Sequence, residues 1–240
     1  MLDVLGAMTL TALAVVGVSA LIVAGARDGA GRRRLALFAA AWFVTIASLA
    51  AAGTFARPAG AGTLAIGAAV ATPILAGLIA FARSRSVRAF VFGVPLAVLV
   101  AVHMGRFLGG FFVALHSAGR LPPTFALTAG WGDIFVAAAA LPLAWAIHRR
   151  APGWRPLTLA WNALAMIDLA TAVSLGVGSA PDSPLRFIFE SPNSGAIATL
   201  PWVMIPGFLV PVYMLTHLAI FAQLAVSVWK AERLPMRSAA

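Results

Sequence analysis

The chain has 240 residues, 62% of them hydrophobic and 10% charged, whereas a soluble domain carries roughly a quarter charged residues to keep its surface in water. Cysteine is absent, which excludes disulfides, thiolate metal sites and cysteine nucleophiles. The net charge of +10 comes from sixteen Arg and one Lys against seven acidic residues, and its placement reads as membrane topology, not as a nucleic-acid surface.

A helix needs about 20 apolar residues to cross the hydrocarbon core. The first such block, 4–26, follows Asp3 and precedes Arg27, Arg32, Arg33 and Arg34. That order is the reverse of a secretory signal, so it predicts a retained span inserted amino end outward. Further blocks run at 35–56 and 61–82, separated by a short turn around Arg57 and Pro58, and at 89–116, 125–147, 157–178 and 202–229. Pro122 and Pro123 break the chain between the fourth and fifth blocks. Pro73, Pro95, Pro142, Pro206 and Pro211 fall inside blocks, where membrane helices accept them with local kinks.

Basic residues alternate between the connections. Arg27, Arg32, Arg33, Arg34, Arg83, Arg85, Arg88, Arg149, Arg150, Arg155, Lys230, Arg233 and Arg237 fall on one side, and only Arg57, Arg120 and Arg186 on the other. By the positive-inside rule the first group is cytoplasmic. The expected fold is therefore all-α: a polytopic membrane protein with one membrane domain over 1–240. It is a seven-transmembrane-helix bundle in a bacterial-type inner (plasma) membrane, amino terminus outside and carboxyl terminus in the cytoplasm. The long connection 179–201 would then lie outside. Within it, Arg186 and Glu190 flank Phe187, Ile188 and Phe189, a pattern for a short interfacial helix or for a lid over an outward-facing cavity.

Ionisable groups inside membrane helices are costly and turn toward the bundle interior or a cavity. The first three blocks have none at depth. The later four carry His103 and Arg106, Asp133, Asp168 and His217. At about 1.5 Å rise per residue, each lies roughly 20 to 27 Å from the basic residue that ends its helix, which predicts one polar layer. His103 and Arg106 are three apart and share a face. Arg106 stays charged and needs a carboxylate, which only Asp133 and Asp168 can supply at that depth. With both histidines neutral the layer sums to −1, which points to uptake of a proton or binding of a cation; the alternative is an Arg–Asp clasp that only fixes helix packing, with the histidines hydrogen-bonded to it. Asn162, about a turn and a half from Asp168, and Tyr213, one turn before His217, complete the expected ligand- or proton-binding set. Trp161 shares a face with Asp168. Gly105, Gly109, Gly110, Gly130 and Gly132 would let helices approach closely there. Trp145, Trp154, Trp202 and Trp229 mark an aromatic belt near helix ends, and His116 and His148 read as interface residues.

This pattern points to binding, sensing or carriage of a small solute or protons, without a legible catalytic set. An alternative is a membrane cytochrome with haem between His103 and His217. Another is a non-catalytic subunit or assembly factor that meets a membrane partner through helices one to three. A retinal protein needs a buried Schiff-base lysine, and the only lysine is Lys230 at a helix end. No HExxH motif occurs, and a metal would need both histidines and both aspartates to converge. The lack of an internal repeat weakens an inverted-repeat transporter.

Overall fold

The computed structural model describes the backbone of residues 1–233 and side chains through residue 226. Arg237 lies outside the described residues, and so do the side chains of Trp229, Lys230 and Arg233. Among the described residues all regular structure is helical. The helices are α1 (Leu2–Gly25), α2 (Gly29–Ala51), α3 (Ala61–Arg83), α4 (Arg85–Gly93), α5 (Leu96–Ala101), α6 (Gly109–Ser117), α7 (Pro123–His148), α8 (Trp154–Gly178) and α9 (Val210–Arg233). A 3-10 segment, Val102–Leu108, joins α5 to α6, and a π-helical turn, Ile205–Leu209, leads into α9. With α5, the 3-10 segment and α6 counted as one, seven described spans are long and apolar enough to cross a membrane.

The boundaries follow local chemistry. Asp28 caps α2 by accepting the Gly31 N–H at 2.5 Å, so α2 begins at Gly29 and takes Arg32, Arg33 and Arg34 into its first turns. The predicted block 89–116 is corrected. Val94 is extended ahead of Pro95, as a residue before proline must be, so the span starts only at Leu96. Arg85–Gly93 is instead a separate amphipathic helix, capped by Ser84 and tied back by Arg88, which donates to the Phe81 and Ala82 carbonyls. The block at 202–229 likewise begins with the π-helical turn. There the Pro206 ring disrupts the normal ladder, and the Trp42 indole takes the Gly207 carbonyl at 3.0 Å.

In the 179–201 connection no helix forms at 186–190, contrary to the interfacial-helix reading. Pro184 and Pro192 bracket the segment, Arg186 donates to the Ile188 carbonyl and lies over the Phe189 ring, and Glu190 caps the start of α7 through Thr124. Trp202 is also corrected: it is fully buried, not in an aromatic belt, with its indole N–H on Asp3 at 2.7 Å. Arg120 pairs with the same carboxylate at 2.8 Å, so the start of α1, the α6–α7 connection and the start of the last span are clasped at one end of the bundle.

Two apolar clusters fill the interior. One contains Leu10, Ile46, Phe112, Leu121, Trp202 and Phe208, near the amino-terminal end of the bundle. The other contains Val94, Leu99, Leu143, Trp161 and Ile220, toward the opposite end. The buried His103, Arg106, Asp133, Asn162 and His217 lie where the two meet.

Candidate functional site

Close approach of α6 and α7 builds the centre of this layer. A Cβ on Gly109 would stand 2.5 Å from both the Asp133 Cβ and the Gly130 carbonyl oxygen, so only glycine lets the two helices touch at this level. The seven-residue 3-10 segment has three residues per turn, which brings His103 and Arg106 into line along one edge.

Arg106 is 1% exposed and uses all three nitrogens. Its Nε donates to Asp133 Oδ1 at 2.6 Å, Nη1 to the Ala165 carbonyl at 3.0 Å, and Nη2 to Asp168 Oδ2. The guanidinium fork thus spans α7 and α8 at once, with directed bonds that a lysine could not reproduce. Asp168 leans across α7 over Gly132, where a Cβ would collide with its carboxylate. With one cation and two carboxylates the trio sums to −1.

The histidines do not hydrogen-bond to the Arg–Asp clasp, contrary to the packing alternative. They stack on one another, ring centroids 4.0 Å apart and planes at 30°, inside a cage of Trp161 and Tyr213. The Asn162 Nδ2 donates to the His217 backbone carbonyl at 3.1 Å, so its Oδ1, 2.8 Å from His217 Nδ1, must accept from an N–H there. Thr216 spends its one hydroxyl proton on the Tyr213 carbonyl at 2.8 Å, so it accepts from His103 Nε2 at 3.0 Å. These bonds define two neutral tautomers, with His103 Nδ1 and His217 Nε2 left as buried lone pairs that have no partner.

All seven residues expected from sequence are thus in one interior layer, divided into an ionic trio (Arg106, Asp133, Asp168) and an imidazole cluster (His103, His217, Asn162, Tyr213). Thr216 and the Ala165 carbonyl were missed, since an ordinary threonine and a backbone group give no signal in sequence.

The haem arrangement does not fit. Two axial histidines stand on opposite faces of the macrocycle, and rings stacked at 4.0 Å leave no room for one between them. The four-ligand metal set fails too, because the aspartates turn to Arg106 and the histidine lone pairs lie in nearly parallel ring planes. Among the described residues no three of His, Asp or Glu gather as a metal-ligand group.

One side of the layer is open. A cavity of about 400 Å³ runs from the 53–60 and 179–201 connections down to Asp133, with walls from α3, α6, α7, α8 and the π-helical turn. Arg57 and Asp182 stand at its mouth, apolar side chains such as Ile66, Phe112, Phe125 and Val173 form its walls, and Asp133 is the charged residue at depth. Asp182 adopts φ of 55° and Ala59 the same value, left-handed conformations disfavoured for both, at this rim. Asp133 Oδ2 has no hydrogen-bond partner among the described residues.

The fold and its interior define a helical protein of the multi-pass membrane type, with a buried His/Arg/Asp layer reached by a cavity. Residues 63–225, more than half of the chain, match the family described as a domain of unknown function (DUF8737), and the chain belongs to that family. The match runs from the start of α3 into α9, so it contains every residue of the buried layer and leaves out α1 and α2. No curated protein and no solved structure matches the chain.

Proposed function

We propose that this protein spans the membrane seven times as a single domain, amino terminus outside, and binds a small solute in the cavity above Asp133, as the first step of sensing or carriage. The observation that carries the reading is the cavity itself: a largely apolar space, open at one end, that stops at a buried charge. Ligand sites combine apolar walls with a few placed polar groups, and an intramembrane ionisable residue beside such a space marks a site by default. The charge count supports the orientation, because the cavity mouth lies among the connections poor in basic residues.

The chain has no native cysteine, so one introduced in place of Val173 on the cavity wall is a clean reporter. In intact cells it should react with a membrane-impermeant maleimide added outside. Gly67→Leu, at a cavity-lining position where an added Cβ meets nothing within 4 Å, should slow that reaction. Reaction only after the membrane is opened would reverse the orientation. No reaction in either state would remove the open cavity and the function built on it.

A second reading, packing against a membrane partner, is favoured by one observation. In α1, α2 and α3 only 11%, 6% and 6% of the spanning window is buried, against 39% and 44% for the fourth and fifth spans. In that reading α1–α3 offer a lateral face to a partner, and the protein is a subunit of a larger assembly.

A further inference from the structure

We propose that Asp133 Oδ2 is an exchange site, occupied either by one proton or by the positive head of a small lipophilic cation, the two displacing one another. This rests on the solute-binding reading above and names its substrate class.

Charge balance at depth is the starting point. Arg106 carries +1, and Asp133 and Asp168 together carry −2 when ionised. The groups packed around them do not correct the sum. His103, from the 3-10 segment, and His217, from α9, each give one ring nitrogen to Thr216 or Asn162, and the other nitrogen of each is buried with no acceptor that would stabilise a second ring proton. Tyr213, also from α9, is a neutral phenol. Arg57 and Asp182 at the cavity mouth cancel one another. The Asp133 side chain is 7% exposed and that of Asp168 19%, so the unbalanced charge weighs most on Asp133, where a low-dielectric interior strongly disfavours it.

Geometry decides where that charge goes. Asp168 is not among the residues lining the cavity. Asp133 lines it, is nine-tenths buried, gives Oδ1 to Arg106 and keeps Oδ2 free. The free oxygen therefore meets either a proton, making the carboxyl neutral, or the cationic head of a solute whose apolar body lies against Phe112, Phe125 and Val173. In either state the trio plus its occupant sums to zero. Binding of the cation breaks the Oδ2–H bond and releases that proton through the cavity to water. Release of the cation reverses the step.

The test uses the full-length protein in lipid nanodiscs, with benzyltrimethylammonium as the probe because its charge does not titrate. Calorimetry in two buffers of different ionisation enthalpy should show about one proton released per probe bound. Affinity should rise about tenfold per pH unit while the carboxyl holds its proton, and level off once it is ionised. Asp133→Asn leaves Arg106 paired with Asp168, and it should abolish both proton release and pH dependence. Without any solute, infrared difference spectra between low and high pH should show one buried protonated carboxyl that Asp133→Asn removes. If that band is absent, or persists in Asp133→Asn, the exchange site is wrong whatever binds. If benzyl alcohol binds as well as the cation and no proton moves, the cavity reading stands and the exchange is overturned. If neither probe binds and the carboxyl band is unaffected by both, the solute-binding reading fails with it.

Discussion

The ionic trio and the imidazole cluster grow from adjoining positions of the same helices, yet only the trio reaches the cavity, through Asp133. His103 and Arg106 lie one 3-10 turn apart, and Asn162 and Asp168 lie on the same α8. Nevertheless Asp133 lines the cavity, whereas His103 and His217 are fully buried behind Tyr213 and Trp161. The difference shows that polarity at depth serves two ends in this bundle. On the proposed reading, the trio holds its unbalanced charge at Asp133, where the cavity would let a ligand answer it. The imidazoles hold α8, α9 and the 3-10 segment in register through neutral hydrogen bonds with fixed tautomers.

The comparison can be broken most severely at Arg106. Arg106→Ala strands the buried Asp133 carboxylate and the partly buried Asp168 and should cost about 3–5 kcal/mol, read as a large fall in the unfolding midpoint in detergent. A loss no greater than that of a surface substitution would mean the trio is not buried as described. Gly109→Ala forces a methyl group into Asp133 and the Gly130 carbonyl and should cost about 1–3 kcal/mol by the same measurement. Its disturbance should appear in the trio before it appears at the histidines.

On the sealed side, Asn162→Leu leaves the His217 Nδ1–H unanswered and removes the side-chain bond to its backbone carbonyl, and should cost about 1–3 kcal/mol. It sharpens the contrast if thiol labelling at position 173 is unchanged, because the imidazole cluster does not line the cavity. Altered labelling would merge the two regions into one site. The smallest effect is expected of Arg57→Ala at the cavity mouth, within about 0.5 kcal/mol, since Arg57 forms no ion pair among the described residues.

Much of this could be read in advance, for identifiable reasons. The spans at 125–147 and 157–178 agree closely with α7 and α8, because an uninterrupted apolar run of the right length has no competing structure in lipid. The fourth block differs at its start: residues 89–93 continue the apolar pattern, and only the Val94–Pro95 break separates the amphipathic helix from the long apolar one. The connection at 186–190 was misjudged because i,i+4 charges suggest helix, while the flanking prolines and the capping role of Glu190 hold the chain extended. Trp202 was placed in a belt because tryptophans cluster at membrane interfaces, and nothing local reveals that Asp3, nearly two hundred residues away, accepts its indole N–H.

Sequence alone determined the number of helices long and apolar enough to cross a membrane and which polar residues meet in the layer, since the cost of placing charge or unpaired backbone in hydrocarbon acts on each segment separately. Tertiary structure alone decided how those residues divide. Which carboxylate meets open space, which imidazole faces which, and where α6 touches α7 all depend on contacts between helices distant in the chain. Those contacts are set by close packing in three dimensions, for which no single segment carries the instructions.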